Sequence, residues 1–262
     1  FKPVPYWKVI ALANNIEFTH PKDIFKKSEL DDFKNIKEAN AETIKKEEKI
    51  PPPPPFDLTS LQKEAHSKHN ISPSGTLKIA QSLYLDGLIS YPRTSSQKIP
   101  EQIKPLEILK KLSKKYSETK LASRSSPVEG PKSDPAHPSI YPTGDFANLE
   151  EDNKKIYELI VKRFISVFCP DAKTANKKIT LTADNGKNFT ASGLIVLEKG
   201  WTNVYPYKFE ERSLPDMFGK TKIDKIRFDE KMTQPPNRYT AASLISILEK
   251  KNLGTKTTRS MI

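Results

Sequence analysis

Tyr91, Arg93, Thr94, Ser95 and Ser96 crowd into one short segment, Tyr91-Pro92-Arg93-Thr94-Ser95-Ser96. A phenol oxygen is a nucleophile able to form a covalent intermediate. A guanidinium beside it grips two phosphate oxygens at once and favours ionisation of the phenol. Pro92 fixes φ between the two side chains and removes a backbone donor. These residue types, in this order, suit chemistry on a phosphate. Residue types alone leave a second reading open, a buried Tyr91 beside a surface Arg93.

The elements around this segment must position it. Upstream, Leu77, Ala80, Leu83 and Tyr84 recur at helical spacing, with Gln81 on the polar side. This helix opens at Ser72-Pro73-Ser74-Gly75 and closes at Gly87, a residue that tolerates positive φ. The run Leu88-Ile89 then leads into Tyr91. Further back, Pro51 to Pro55 must be extended, polyproline-like backbone. An SH3-type ligand is one reading of it. Its place between structured segments favours a domain boundary. Thr59 or Ser60 is positioned to cap the helix that follows. Downstream, Ile103, Leu106, Leu109 and Leu112 predict a helix over 99–116, followed by a polar loop over 119–130. Three prolines forbid a helix across Asp134 to Gly144, so this loop has a fixed course. It carries His137, which by residue type is an ordinary surface histidine. A histidine also takes either charge state near neutral pH, so it can bind phosphate or relay a proton. Apolar spacing predicts one long helix over 148–168, ended by Pro170.

On both sides of this helical stretch the pattern turns to period two. Residues 4–18 predict one or two strands joined near Asn14-Asn15. Residues 23–40 read as a weak amphipathic helix, and 42–50 as a charged edge strand. Strands over 177–183 and 188–197 meet at the Asn185-Gly186 turn. Residues 201–207 and 222–229 read as further strands, and these are expected to pair with the N-terminal ones. A last helix starts at Thr240 and stops at Gly254. The expected class is α+β: a discontinuous β-rich domain (1–55 and 171–230) interrupted by a helical domain (56–170). A short helical start of a further domain follows at 231–262.

Composition bounds the partners. The 262 residues are enough for two or three domains. Lys and Arg number 44 against 32 Asp and Glu, a net charge of +12. That balance favours a polyanion such as nucleic acid. Mixed runs such as Lys45-Lys46-Glu47-Glu48-Lys49 instead read as solubilising surface. The single cysteine, Cys169, excludes an intramolecular disulfide and fits a reducing cytoplasm. No Cys/His cluster has zinc spacing. No stretch reaches the roughly 18 apolar residues of a membrane span. The start, Phe1-Lys2-Pro3-Val4, is neither a signal peptide nor a start methionine, and the chain reads as cut from something larger.

Leu83-Tyr84-Leu85-Asp86-Gly87-Leu88-Ile89-Ser90-Tyr91-Pro92-Arg93-Thr94-Ser95-Ser96 resembles the active-site segment of type IA DNA topoisomerases, roughly L-Y-x-x-G-x-I-S/T-Y-x-R-T-D/S-S. The resemblance extends to three further places. The proline run through Ala65 is similar to the opening of the family's tyrosine domain. Ala136 to Thr143 is similar to its A-H-x-x-I-x-P-T motif. Arg238 to Arg259 is similar to a helix-and-loop motif of the domain that follows. The resemblance implies that Tyr91 attacks a DNA phosphodiester, that Arg93 stays on the phosphate and that His137 approaches it. It places Gln81, Thr94, Ser95, Thr258 and Arg259 against DNA.

This sequence departs from the pattern at several points. Leu85 and Ser95 stand where bacterial members often have Glu and Asp. Tyr141 and Thr255 stand where those members have Arg, and Ala241 replaces a usual Glu. The wording of the last motif is closest to the archaeal and topoisomerase III branch. The family's Mg²⁺ is held by an acidic toprim domain, and nothing here has that spacing. The implied molecule is therefore the arch and tyrosine domains, binding no metal itself and inactive alone. The implied substrate is single-stranded and negatively supercoiled DNA, met by a monomer at the cytoplasmic chromosome. A non-catalytic single-stranded DNA-binding module is the alternative, but it needs neither Tyr-x-Arg-Thr nor Ala-His-x-x-Ile. A tyrosine recombinase requires its Arg and His residues before the tyrosine, whereas Tyr91 precedes His137.

Overall fold

The computed structural model describes residues 1–134 and 136–254. They form two compact units. One comprises Phe1–Lys49, Lys173–Leu197 and Phe209–Asn237; the other comprises Ile50–Ala172, Glu198–Lys208 and the residues from Arg238 onward.

The first unit is built on β1 (Pro5–Ala13), β2 (Ile16–Thr19), β3 (Glu38–Ile50), β4 (Ala172–Ala183), β5 (Asn188–Glu198), β6 (Gly219–Lys222) and β7 (Lys225–Met232). They make one seven-stranded sheet in the order β6-β3-β4-β5-β2-β1-β7. Strands from both ends of the chain pair directly, as expected. β1 runs antiparallel to β7 from Pro5↔Met232 to Leu12↔Lys225, and β2 meets β5 at Thr19↔Thr190. Asn14 and Asn15 both take positive φ between β1 and β2, the conformation a tight hairpin turn demands. Alternation puts Val9, Ala11 and Ala13 on one face with Ile179, Leu181, Phe189 and Ala191. Phe18, Phe33 and Phe189 are fully buried there, each worth roughly 1.5–3 kcal/mol of burial.

The helix expected over 23–40 is mostly absent. One turn forms at Lys27–Leu30, followed by the four-residue α1 (Asp31–Lys34), which drops Leu30 and Phe33 into the sheet core. From Glu38 the chain is already β3, and Ala39 and Ala41 alternate inward. Alanine signals a strand weakly, and pairing of Glu38–Ala41 with β6 decides the conformation. In the sheet order β3 lies inside β6, but β6 covers only that first part of it.

The second unit is helical: α2 (Leu58–His69), α3 (Pro73–Leu85), α4 (Pro105–Leu112), α5 (Glu151–Ser166) and α6 (Ala241–Lys250). α5 is its centre, with Ile156, Ile160, Val161 and Phe164 essentially inaccessible. α3 and α5, α2 and α3, and α2 and α6 pack together. Thus α6, set apart at 231–262 in the sequence reading, lies within this unit. None of the helices among the described residues is long and apolar enough to cross a membrane.

Four local expectations are corrected. The cap of α2 is Asp57, which accepts from Ser60 N, while Ser60 Oγ accepts from Asp57 N in return. α4 is short because Lys104 takes left-handed φ just before Pro105, and Leu106 faces solvent. Residues 201–207 are no strand. Gly200 to Asn203 form a 3-10 turn that inserts Trp201 and Tyr205 into the helical unit. Gly200 has φ +50°, and a Cβ there would lie 2.3 Å from Asp171 O. The aromatic content reported burial, not strand. α6, in turn, is stopped by Asn252 at positive φ rather than by Gly254, with Leu253 N donating to Leu248 O.

Buried tyrosines set an alkaline limit for this unit. Burial pushes the Tyr116 phenol from 10.0 up to about 12, with Glu158 and Glu118 adding to it. Burial raises Tyr157 and Tyr205 as well. Between the unfolded and folded values the unfolded chain binds fewer protons, so stability falls as pH rises. We expect the helical unit's stability to be intact below pH 10.0 with respect to these phenols and to decline toward about 12. A denaturation midpoint that stayed flat across that window would contradict this.

Candidate active site

Tyr91 is positioned by the end of α3. Asp86 is the C-cap, and Gly87 follows at φ +72°. Gly87 N donates to Tyr84 O at 3.0 Å and Leu88 N to Leu83 O at 2.9 Å. This is the paired closure that a left-handed glycine allows. Buried Leu83 and Leu88 seal it. The chain then leaves the helix as an extended segment with Leu88 and Ile89 inward.

That segment is laced to the loop carrying His137. Thr143 N donates to Leu88 O, Ser90 N to Tyr141 O, Ser139 N to Lys98 O and Gln97 N to Lys132 O, all at 2.9–3.0 Å. Ser90 Oγ donates to Ser139 O and accepts from Tyr141 N. On its other side the segment meets α2, where Leu58 N donates to Thr94 O at 3.0 Å. Lacing from both sides makes a platform of short chain segments without a helix or sheet of their own.

The outcome is a meeting of groups far apart in sequence. The Tyr91 and His137 rings lie 4.7 Å apart between centroids, tilted by 51°. Tyr84 of α3 stands edge-on to Tyr91 at 5.3 Å. Tyr91 and Arg93 are half-buried, and His137 and Tyr84 are exposed. A phenol and an imidazole thus share one solvent-facing place, with Arg93 two residues along the same segment. Burial raises the phenol of the neighbouring Tyr141, which keeps it protonated.

The other sequence-derived residues fall out differently. Gln81 is half-buried on α3, one turn before Tyr84 and Leu85. Thr94 is buried, 1% exposed. Its Oγ1 accepts from Ser96 N at 2.9 Å and donates to His137 O at 3.3 Å, so this hydroxyl braces the loop from inside. Ser95 is half-buried, and its Oγ donates to Asp134 Oδ2 at 3.2 Å. Thr258 and Arg259 lie outside the described residues. Sequence reasoning missed Ser90 and Asp134 as organisers of the site. An Asp before a proline is a turn signal, and here Asp134 Oδ1 does accept from Ala136 N at 3.1 Å.

A family model described as DNA topoisomerase matches residues 1–262. DNA topoisomerase 1 of Pyrococcus horikoshii is 41% identical across the whole chain, which spans 41% of that relative. DNA topoisomerase 1 of Methanocaldococcus jannaschii is 42% identical, and the chain spans 36% of it. The structure of full-length topoisomerase I from Thermotoga maritima superposes with a TM-score of 0.77 at 27% identity. That match covers all of this chain and 46% of the other. These relatives carry the name topoisomerase 1, and the first two are archaeal. With the family model, the relatives and the fold in agreement, the chain belongs to the DNA topoisomerase family, in the type IA branch that its motifs resemble.

Proposed function

We propose that this chain carries the nucleophile of a type IA topoisomerase, which cuts and reseals one DNA strand. The observation that supports it most is the 4.7 Å approach of Tyr91 and His137 on an accessible surface. In the proposed step Tyr91 Oη attacks a phosphodiester phosphorus. A bond forms between Oη and phosphorus, and the bond from phosphorus to the 3′-oxygen breaks. The phenol gives up its proton, and the departing 3′-oxygen acquires one. Resealing reverses the step, with the 3′-hydroxyl attacking the phosphotyrosyl ester. Arg93 holds the non-bridging oxygens, where negative charge gathers. His137 is placed to hydrogen-bond the same phosphate or pass a proton.

Among the described residues, no three His, Cys, Asp or Glu side chains group so as to hold a metal ion. These residues do not fit Mg²⁺, and no step here runs through it. The Mg²⁺ that the resemblance implies would be held by a toprim domain. The substrate on this reading is single-stranded DNA, including the melted regions of negatively supercoiled DNA, bound by a monomer at the cytoplasmic chromosome.

Two measurements test the reading. The 262-residue chain should bind a labelled single-stranded oligonucleotide with affinity that falls as salt rises. With Mg²⁺ present the chain alone should not relax supercoiled plasmid, and relaxation would overturn the assignment of metal chemistry to another domain. The native protein should yield a covalent adduct that survives denaturation and maps to Tyr91. DNA binding with no adduct would favour the non-catalytic module.

A further inference from the structure

We infer that Asp134 is a positioning residue for the cleavage site, supplying from the histidine loop a carboxylate that the tyrosine segment lacks. The inference rests on the function proposed above.

Ser95 stands where the type IA pattern often has Asp, so the segment after Arg93 has no acid of its own. In this fold an acid comes back to the same place from another loop. Asp134 Oδ2 accepts from Ser95 Oγ at 3.2 Å and from Ser95 N at 3.4 Å. Its other oxygen, Oδ1, accepts from Ala136 N at 3.1 Å. One carboxylate therefore ties the tyrosine segment, two residues beyond Arg93, to the loop, one residue before His137. Neutral side chains hold this junction less well. An ionised carboxylate offers acceptor sites on both oxygens, and hydrogen bonds to it are stronger than neutral ones.

The neighbouring contacts explain why this tie bears on the chemistry. Across the segment the buried Thr94 hydroxyl reaches His137 O at 3.3 Å, and further along Gln97 N meets Lys132 O. Asp134 lies between these two bonds in the loop. It adds a tie between them. His137 is exposed, and its ring meets that of Tyr91 at 4.7 Å. Asp134 bonds to Ser95 and to the backbone of Ala136. It acts through the positions of Ser95 and His137.

The pairing makes a specific demand. One carboxylate at this junction is required, and two are repulsive. Ser95→Asp alone places a second acid on Asp134 and should loosen the loop. Asp134→Ser alone removes the acceptor. The double variant Ser95→Asp with Asp134→Ser exchanges donor and acceptor across the same gap and should restore the tie.

The experiment has two readouts. On this chain without DNA, the NMR resonances of the His137 ring carry a ring-current shift from Tyr91. We expect each single variant to lose that shift and the double variant to recover it, with unchanged far-UV circular dichroism as the control for folding. In the native protein, we expect each single variant to lower the rate of adduct formation at saturating single-stranded DNA by about 10–100-fold, as misplaced reacting groups do. DNA affinity of the Asp134→Ser protein should stay within about twofold of the unaltered protein, because that substitution removes no phosphate contact. The double variant should return the rate to within about threefold, a non-additivity expected of a contacting pair. An Asp134→Ser protein with the native His137 shift overturns the inference. So does a double variant no better than the worse single. If the unaltered protein forms no adduct at all, the proposed function fails, and the His137 shift still decides the role of Asp134 by itself.

Discussion

Tyr91→Phe in the native protein is expected to abolish the covalent DNA adduct and leave DNA binding nearly intact. The substitution removes one oxygen and keeps the ring. The contacts of that ring, edge-on to Tyr84 at 5.3 Å and tilted over His137 at 4.7 Å, are available to phenylalanine. The surface proposed to meet DNA is therefore preserved, and affinity should change by less than about twofold. Cleavage should fall by at least about 10³-fold, as it does when an enzyme loses its nucleophile. Arg93→Ala should be less severe, about 10²–10³-fold, because it removes stabilisation of developing charge and leaves the attacking atom in place. His137→Ala should cost about 10²–10⁴-fold, the range for a group that moves a proton or orients one. The ranking matters more than any single value. A non-catalytic DNA-binding module would show equal, small effects for all three. An adduct persisting in Tyr91→Phe would move the nucleophile elsewhere.

The parts of this molecule legible in the sequence are those set by local chemistry. The left-handed glycine after α3, the proline run before α2 and the hairpin at Asn185-Gly186 each follow from the φ preferences of a few adjacent residues. The β-rich unit was legible because its strands alternate. What failed was local reading where tertiary contacts decide. Ala39 and Ala41 look helical, and pairing with β6 makes them a strand. Trp201 and Tyr205 look like strand aromatics, yet they are buried in the helical unit, where Trp201 Nε1 donates to Ile50 O at 2.9 Å. The site divides in the same way. Tyr91, Arg93 and His137 stand out by residue type within motifs. That Tyr91 and His137 meet is a product of backbone bonds between residues 88–98 and 132–143, which no periodicity announces. Thr94 shows the limit of motif reading. Its hydroxyl suggests a ligand contact, and the fold spends it inside the protein.

The largest effect on stability is expected at Arg163, a residue that no motif marks. Its side chain is 5% exposed in the middle of the helical unit. The guanidinium donates to Glu64 Oε1 at 3.1 Å, to the Tyr205 hydroxyl at 3.0 Å and to Pro54 O at 3.2 Å. The Tyr205 hydroxyl in turn donates to Glu64 Oε2 at 3.0 Å. The guanidinium's central carbon lies 4.2 Å from the ring centroids of both Phe56 and Tyr205, two rings that meet edge-on. Arg163→Ala removes the donor to three acceptors and opens a void against two rings. It should cost about 3–5 kcal/mol, the range for breaking a buried charge network from one side. Arg163→Lys should recover little, since a point charge serves neither the fork nor the stacking. Arg163→Met fills the slot, and Glu64, about a third exposed at 32%, can turn to water. This variant should therefore lose less than Ala, and the gap between the two measures packing against charge. Trp201, 6.5 Å from Tyr205 between ring centroids, reports unfolding of this unit once Trp7 is replaced by Phe. The same node reaches the loop that carries His137. Phe56, pressed on Arg163, accepts from Ile140 N at 2.7 Å through its carbonyl. Ile140 lies in the loop just beyond His137. Arg163→Ala should thus lower adduct formation even under conditions where the unit remains folded. A loss below about 1 kcal/mol, the scale of an exposed ion pair, would show that the network only fills space.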